Sequence, residues 1–146
     1  MRIFIVVGET SGDSHASRIA SKLKSENNSI QLFGWGGDSM KTVGVQILCH
    51  LDELNFMGYK EVFLQIPKLY KLERKFQQQI KEVAPDLILY VDFSSFNLRM
   101  AKWTANQGRE NWWYIAPKTW ASRPSRNHYI KKYINRLFCI FLYGSV

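Results

Sequence analysis

A chain of 146 residues that is 46% hydrophobic and 22% charged has the size and composition of one globular domain with its own core, which excludes a disordered or fibrous protein. Its two cysteines, Cys49 and Cys139, are too few for a disulfide framework and lack metal-ligand spacing, so a reducing compartment and no metal are expected. The net charge of +8 is confined enough to matter: no acidic residue follows Glu110, while Lys118, Arg123, Arg126, Lys131, Lys132 and Arg136 do.

The first predicted element is the strand Ile3–Val7, a continuous apolar run that passes straight into Gly8-Glu9-Thr10-Ser11-Gly12-Asp13. An amphipathic helix, Ser14–Ser25, follows with Ala16, Ile19, Ala20 and Leu23 on one stripe. A buried strand emptying into a glycine-spaced polar turn at a helix start is how open α/β sheets build ligand sites. The turn fits neither common phosphate loop. Gly8 and Gly12 lack a third glycine for the dinucleotide fingerprint, and no Lys-Ser or Lys-Thr follows Gly12. Glu9 and Asp13 would also oppose a phosphate, so a neutral, hydroxyl-rich ligand suits the turn better. The same spacing equally allows Asp13 or Ser14 to cap the helix while Gly12 relaxes the turn. The apolar start at Ile3 is too short for a secretion signal and no run reaches membrane-spanning length, which points to the cytoplasm.

Strands are predicted next at Ile30–Trp35 and, more weakly, at Val45–Cys49. The segment Phe56–Tyr70 is rich in aromatic and apolar groups interleaved with Lys60 and Lys68, with Lys71 and Arg74 just beyond, a composition suited to a lipid interface and also to an ordinary core. A helix over Lys68–Val83 buries Leu69, Leu72, Phe76 and Ile80. Pro85-Asp86 ends it and opens the strand Leu87–Val91, which terminates at Asp92. The loop beyond a strand's carboxyl end faces the crevice, so Asp92 is placed to reach a ligand. Phe93-Ser94-Ser95-Phe96-Asn97 adds hydroxyl and amide groups suited to a sugar, although Asp92 also reads as a turn residue and Asn97 as a helix cap. A helix over Leu98–Gln107, a strand over Trp112–Ile115, a helix over Arg126–Ile134 and a strand over Leu137–Leu142 complete the pattern. Alternating unpatterned strands and amphipathic helices predict an α/β doubly wound, mostly parallel, Rossmann-like sheet. The acid-free end predicts a cationic face, for nucleic acid, anionic lipid or a phosphorylated substrate, or simply a solvated helix flank.

Four blocks in order carry a resemblance: Gly8-Glu9-Thr10-Ser11-Gly12-Asp13; Phe56-Met57-Gly58 with Glu61; Asp92 with Phe96-Asn97; and Tyr114-Ile115-Ala116-Pro117 with Trp120-Ala121 and Arg123. Together they resemble the N-terminal half of lipid-A-disaccharide synthase, a glycosyltransferase built from two Rossmann-like domains in the GT-B arrangement. The resemblance implies transfer of 2,3-diacylglucosamine from its UDP derivative to 2,3-diacylglucosamine 1-phosphate with inversion, without metal or cofactor, in lipid A biosynthesis. It further implies peripheral contact with anionic membrane at the inner face of the inner membrane. A hydroxyl nucleophile near neutral pH requires a positioned base, and Asp92 is the expected catalytic residue. The resemblance assigns substrate contacts to Glu9, Ser11, Gly12, Asp13, Met57, Gly58, Glu61, Asn97 and Arg123.

The chain departs from the family's Ser-Pro and Trp-Ala-Trp at Ala116-Pro117 and Trp120-Ala121-Ser122. Where the family continues into a Pro-Phe-Glu turn and a donor-binding domain, it reads Leu142-Tyr143-Gly144-Ser145-Val146. The expectation is an acceptor-binding domain over residues 1–141 and an aberrant tail over 142–146, inactive without the donor half. A different class of function, a non-catalytic nucleic-acid-binding module, would use the cationic end with Trp112, Trp113, Tyr114 and Trp120. A nucleotide-dependent oxidoreductase is disfavoured because Trp35 and Gly36, not an acid, end the second strand.

Overall fold

The computed structural model describes residues 1–56, 66–114 and 124–138. Six strands form one sheet: β1 (Arg2–Val7), β2 (Gln31–Gly36), β3 (Gln46–His50), β4 (Leu87–Val91), β5 (Glu110–Tyr114) and β6 (Arg136–Phe138). All neighbours pair parallel, in the order β3-β2-β1-β4-β5-β6. The chain therefore winds outward from β1 in one direction, then returns and winds outward from β4 in the other. The reversal falls between β1 and β4, where Ile3 pairs with Leu87 and Val7 with Val91. Apart from Arg2, both strands are buried throughout, which explains why their sequences are unbroken apolar runs.

The helices are α1 (Thr10–Glu26), α2 (Asp38–Thr42), α3 (Leu51–Phe56), α4 (Ile66–Val83), α5 (Ser94–Asn106) and α6 (Pro124–Tyr133). α1 lies on one face of the sheet, with Gly12 against Val7 and Val91 and His15 near Tyr114. α4 and α5 pack on the other, around an aromatic cluster. Phe76 meets Phe4, Trp35 and Phe96 edge-on at ring separations of 5.5 to 5.8 Å, and Phe96 stacks on Trp35. Burial of the Trp35 indole is made affordable by its Nε1–H, which donates to Gln79 at 2.6 Å.

A buried polar chain ties the second half of the sheet to its helices. The Tyr90 hydroxyl meets Thr104 at 2.9 Å, Thr104 donates to Asn111, and the Asn111 amide donates to the carbonyls of Ala101 and Tyr133. Burial pushes the Tyr90 phenol well above its ordinary value, so it serves as a neutral hydrogen-bonding group.

The parallel, doubly wound sheet is the one anticipated. Two helices start four residues earlier than their apolar stripes suggest: α1 takes in Thr10 to Asp13, and α5 takes in Ser94 to Asn97. The bend after β1 is consequently shorter than expected, Gly8-Glu9, and Gly12 is helical. α2 and α3 interrupt what read as plain connections. The expected strand ends at Ile115 and beyond Phe138, and most of the aromatic segment Phe56–Tyr70, lie outside the described residues.

Candidate active site

In a parallel sheet the connections leaving the carboxyl ends of the strands share one edge, and here the reversal of winding opens that edge between β1 and β4. The bend Gly8-Glu9 leaves β1 and the pair Asp92-Phe93 leaves β4, from strands that hydrogen-bond to each other. The long helices α1 and α5 begin immediately afterwards, so both direct their positive N-terminal ends at this edge.

The β4 tip has an unusual backbone. Asp92 and Phe93 both lie in the left-handed region, at φ of 48° and 65°. Asp tolerates that conformation, whereas a bulky Phe adopts it only under constraint from its surroundings. Those surroundings are visible. The Phe93 ring is buried, stacks on Phe96 at 5.0 Å and lies so close to Gly8 that a Cβ there would sit 2.4 Å from its Cγ. Gly8 is therefore required by close approach, and the β1 bend and the β4 tip are locked face to face.

Asp92 is half-buried. Its Oδ1 accepts the Phe93 N–H at 2.9 Å, its carbonyl accepts the Asn97 amide, and its N–H points to the Tyr114 carbonyl at 3.4 Å. Among the described residues Oδ2 accepts no hydrogen bond. One oxygen is thus tethered and the other is left open.

The other expected site residues divide sharply. Glu9, in the bend, and Ser11, on the first turn of α1, are both exposed. Asn97 is fully buried; its Nδ2 holds the Asp92 carbonyl, while its Oδ1 finds no partner among the described residues. Asn97 acts on the loop from beneath. Gly12 is buried where α1 lies on the two central strands; a Cβ there would meet the side chains of Val7 and Val91 at 3.4 to 3.7 Å, an ordinary contact, so the packing does not demand glycine.

Asp13 does not reach the crevice. It is 3% exposed, and its Oδ1 accepts the N–H groups of Gly37 and Met40 at 2.8 and 3.2 Å while Oδ2 accepts that of Ser39 at 3.0 Å. It caps α2, a different helix from its own, and the objection it raised to a phosphate at the bend falls away, leaving only Glu9. Met57, Gly58, Glu61 and Arg123 lie outside the described residues.

Sequence reasoning missed two features of this edge. The Gly8–Phe93 contact had a signal in the i, i+3 pair Phe93 and Phe96. The α2 start had one in Gly36-Gly37-Asp38-Ser39, a glycine turn running into polar helix-opening residues. At the β3 end, His50 heads α3 by accepting the Asp52 N–H at Nδ1, with Nε2 3.0 Å from Asp38. Among the described residues no cluster of His, Cys, Asp or Glu has the arrangement to hold a metal ion, and no helix is long and apolar enough to cross a membrane.

Residues 3–143 match the profile of the family described as lipid-A-disaccharide synthetase. Among curated proteins, the chain is 34% identical over 139 residues to the lipid-A-disaccharide synthase of Myxococcus xanthus and 32% identical to that of Coxiella burnetii. The alignments cover 95% of this chain but 36% and 37% of those proteins, so it spans little more than a third of their length. Among solved structures it resembles the UDP-GlcNAc 2-epimerase from Neisseria meningitidis bound to UDP-GlcNAc, with a TM-score of 0.63 and 8% identity over 95% of this chain and 40% of that one. It also resembles the glycotransferase of kitacinnamycin, with a TM-score of 0.58 and 14% identity over 90% of this chain and 35% of that one. At such identities these two likenesses speak for the fold.

Proposed function

The chain belongs to the lipid-A-disaccharide synthetase family, and from that premise we propose that it forms the acceptor side of an inverting glycosyl transfer. In this reading 2,3-diacylglucosamine 1-phosphate binds at the edge between β1 and β4, and its 6-hydroxyl attacks the anomeric carbon of UDP-2,3-diacylglucosamine. The attacking oxygen loses its proton to Oδ2 of Asp92, UDP departs from the opposite side, and the β-1,6-linked disaccharide forms. The observation that carries the reading is the Asp92 carboxylate, with one oxygen tethered and the other open, fixed opposite the Gly8-Glu9 bend. Proton acceptance by a positioned carboxylate is the chemistry a hydroxyl nucleophile needs.

Glu9 and Ser11 supply hydrogen-bonding groups for the sugar, and the N-terminal ends of α1 and α5 favour the anionic phosphate. Asn97 holds Asp92 in place. Asp13 supports the neighbouring loop instead of touching substrate, and Gly12 lies buried between α1 and the sheet. Met57, Gly58, Glu61 and Arg123 remain assigned to the acylated substrate by resemblance. The donor is held by the part of the relatives' length that this chain does not span.

The acyl chains call for a bilayer at hand. Ile66 and Tyr70 at the start of α4 are 74% and 57% exposed, and Lys68, Lys71 and Arg74 surround them. An apolar surface ringed by cations suits peripheral attachment to the cytoplasmic face of the inner membrane.

The test is acceptor binding by the chain itself, measured by titration calorimetry with 2,3-diacylglucosamine 1-phosphate in detergent micelles. Saturable binding is expected, weakened about tenfold or more by Asp92→Asn, in line with loss of a charged hydrogen bond. Absence of binding, or an Asp92→Asn variant that binds like the parent, would overturn the reading.

A further inference from the structure

Two polar groups of the interior lack partners, and they lie in one layer. The Asn97 Oδ1 and the Trp113 Nε1–H are buried with no hydrogen bond among the described residues, one an acceptor and the other a donor. Their neighbours place them together. Trp113 of β5 pairs with Tyr90 of β4, and the two rings stand 6.0 Å apart on the sheet face that α5 covers, where Tyr90 reaches Thr104. Two residues earlier on the same face of β5, Asn111 donates to the Ala101 carbonyl and accepts from Thr104. α5 runs back along the strands, so a step of two residues up β5, about 6.6 Å, answers to roughly four residues toward the start of the helix. From Ala101 that step ends at Asn97. The Trp113 indole and the Asn97 amide therefore share the layer just beneath the β4 tip.

We infer that Trp113 is a positioning residue for Asp92, acting through Asn97 by way of one bridging water. The water accepts the Nε1–H and donates to Oδ1, which leaves neither group unpaired where an unmade hydrogen bond is costly. Asn97 Nδ2 in turn donates to the Asp92 carbonyl, and Asp92 is held at a φ of 48°. The amide has two ends and only one useful orientation. Turned over, it would set Oδ1 against the Asp92 carbonyl, acceptor against acceptor. With a lone pair occupied by the indole, the water turns a proton toward Asn97 and favours the orientation that secures the tip. The left-handed backbone that aims the Asp92 carboxylate is thus held by a relay reaching back into β5. The inference rests on the reading of Asp92 as the acceptor-binding carboxylate, whereas the bridge itself is a property of the free chain.

Proton NMR of the full chain tests the bridge. Among the indole N–H signals of its five tryptophans, sequential assignment identifies that of Trp113 in the parent, and its loss in Trp113→Phe verifies it. The signal should show a cross-peak to a long-lived water, and the cross-peak should disappear in Asn97→Ala. No water contact in the parent, or one unchanged in Asn97→Ala, overturns the bridge. Titration calorimetry with 2,3-diacylglucosamine 1-phosphate in detergent micelles tests the coupling. Trp113→Phe should weaken binding about threefold, and Trp113→His, which restores a ring N–H, should recover most of that loss. With Asn97→Ala already present, Trp113→Phe should change binding less than about 1.5-fold. Equal losses in both backgrounds would mean that Trp113 serves packing alone and overturn the positioning role. A parent that binds no acceptor removes that role together with the acceptor-binding reading, while the water cross-peak still decides the bridge. Far-ultraviolet circular dichroism verifies that each variant is folded.

Discussion

Replacing Asp13 by Asn separates a structural carboxylate from a ligand. In the parent, Oδ1 accepts two backbone N–H groups and Oδ2 a third, all at the start of α2. Asn retains the first pair through its carbonyl but turns an amide N–H toward the N–H of Ser39, so one bond is lost and two donors face each other. Net losses of about 1.5–3 kcal/mol are usual when a hydrogen bond to a charged group is broken, and the surroundings here are buried, so roughly 2–3 kcal/mol is expected. For a chain of this length that is a fall in midpoint temperature of about 4–12 °C. Asp13→Ala leaves all three donors without the carboxylate and should cost more, about 3–5 kcal/mol. Urea denaturation measures the loss, and acceptor titration of the folded variant accompanies it. A variant as stable as the parent that no longer binds acceptor would refute the assignment and return Asp13 to the crevice.

Gly8→Ala should destabilise by about 1–3 kcal/mol through overpacking against the Phe93 ring, and combining it with Phe93→Ala should relieve part of that cost in a double-mutant cycle; strictly additive losses would dissolve the proposed contact. Glu53 is held below its ordinary 4.5 by the His50 N–H first and then by Lys75, so it ionises more readily in the folded state and contributes stability above that value. This contribution is lost as pH falls below 4.5 through the lowered folded value, and Glu53→Gln should flatten that part of an acid-unfolding curve. Burial pushes the Cys49 thiol above its ordinary 9.0, with Lys75 opposing. Iodoacetamide at about pH 8 should therefore leave Cys49 unlabelled until the chain unfolds, as peptide mass mapping would reveal.

The centre of the sheet was legible because β1 and β4 are buried on both faces and so are written as continuous apolar runs. Leu87–Val91 coincides with β4 to the residue. Helix starts were less legible for a common reason. Thr10 to Asp13 and Ser94 to Asn97 carry turn and capping residue types, and within them Asp13 is engaged by distant backbone groups while Asn97 is buried against the Asp92 carbonyl. Asp13 illustrates the limit: its three donors come from Gly37, Ser39 and Met40, and nothing local distinguishes a cap for the next helix from a ligand contact. α2 is five residues long and depends on that carboxylate, so beyond the glycine turn that opens it its own sequence held little signal. Of the candidate site, the position of Asp92 followed from topology, while its left-handed backbone and the ring beneath Gly8 arise from packing between β1 and β4.

The edge that carries Asp92 hangs from the two most deeply buried strands of the molecule. Backbone amides in such strands exchange with solvent only when the whole domain opens, and loops clamped between them share that rigidity. Little conformational entropy then remains to be lost if a ligand binds there, so the geometry of this edge is preorganised. Any adaptation to a ligand's shape is then left to the periphery, and the central bend and tip form a fixed anvil.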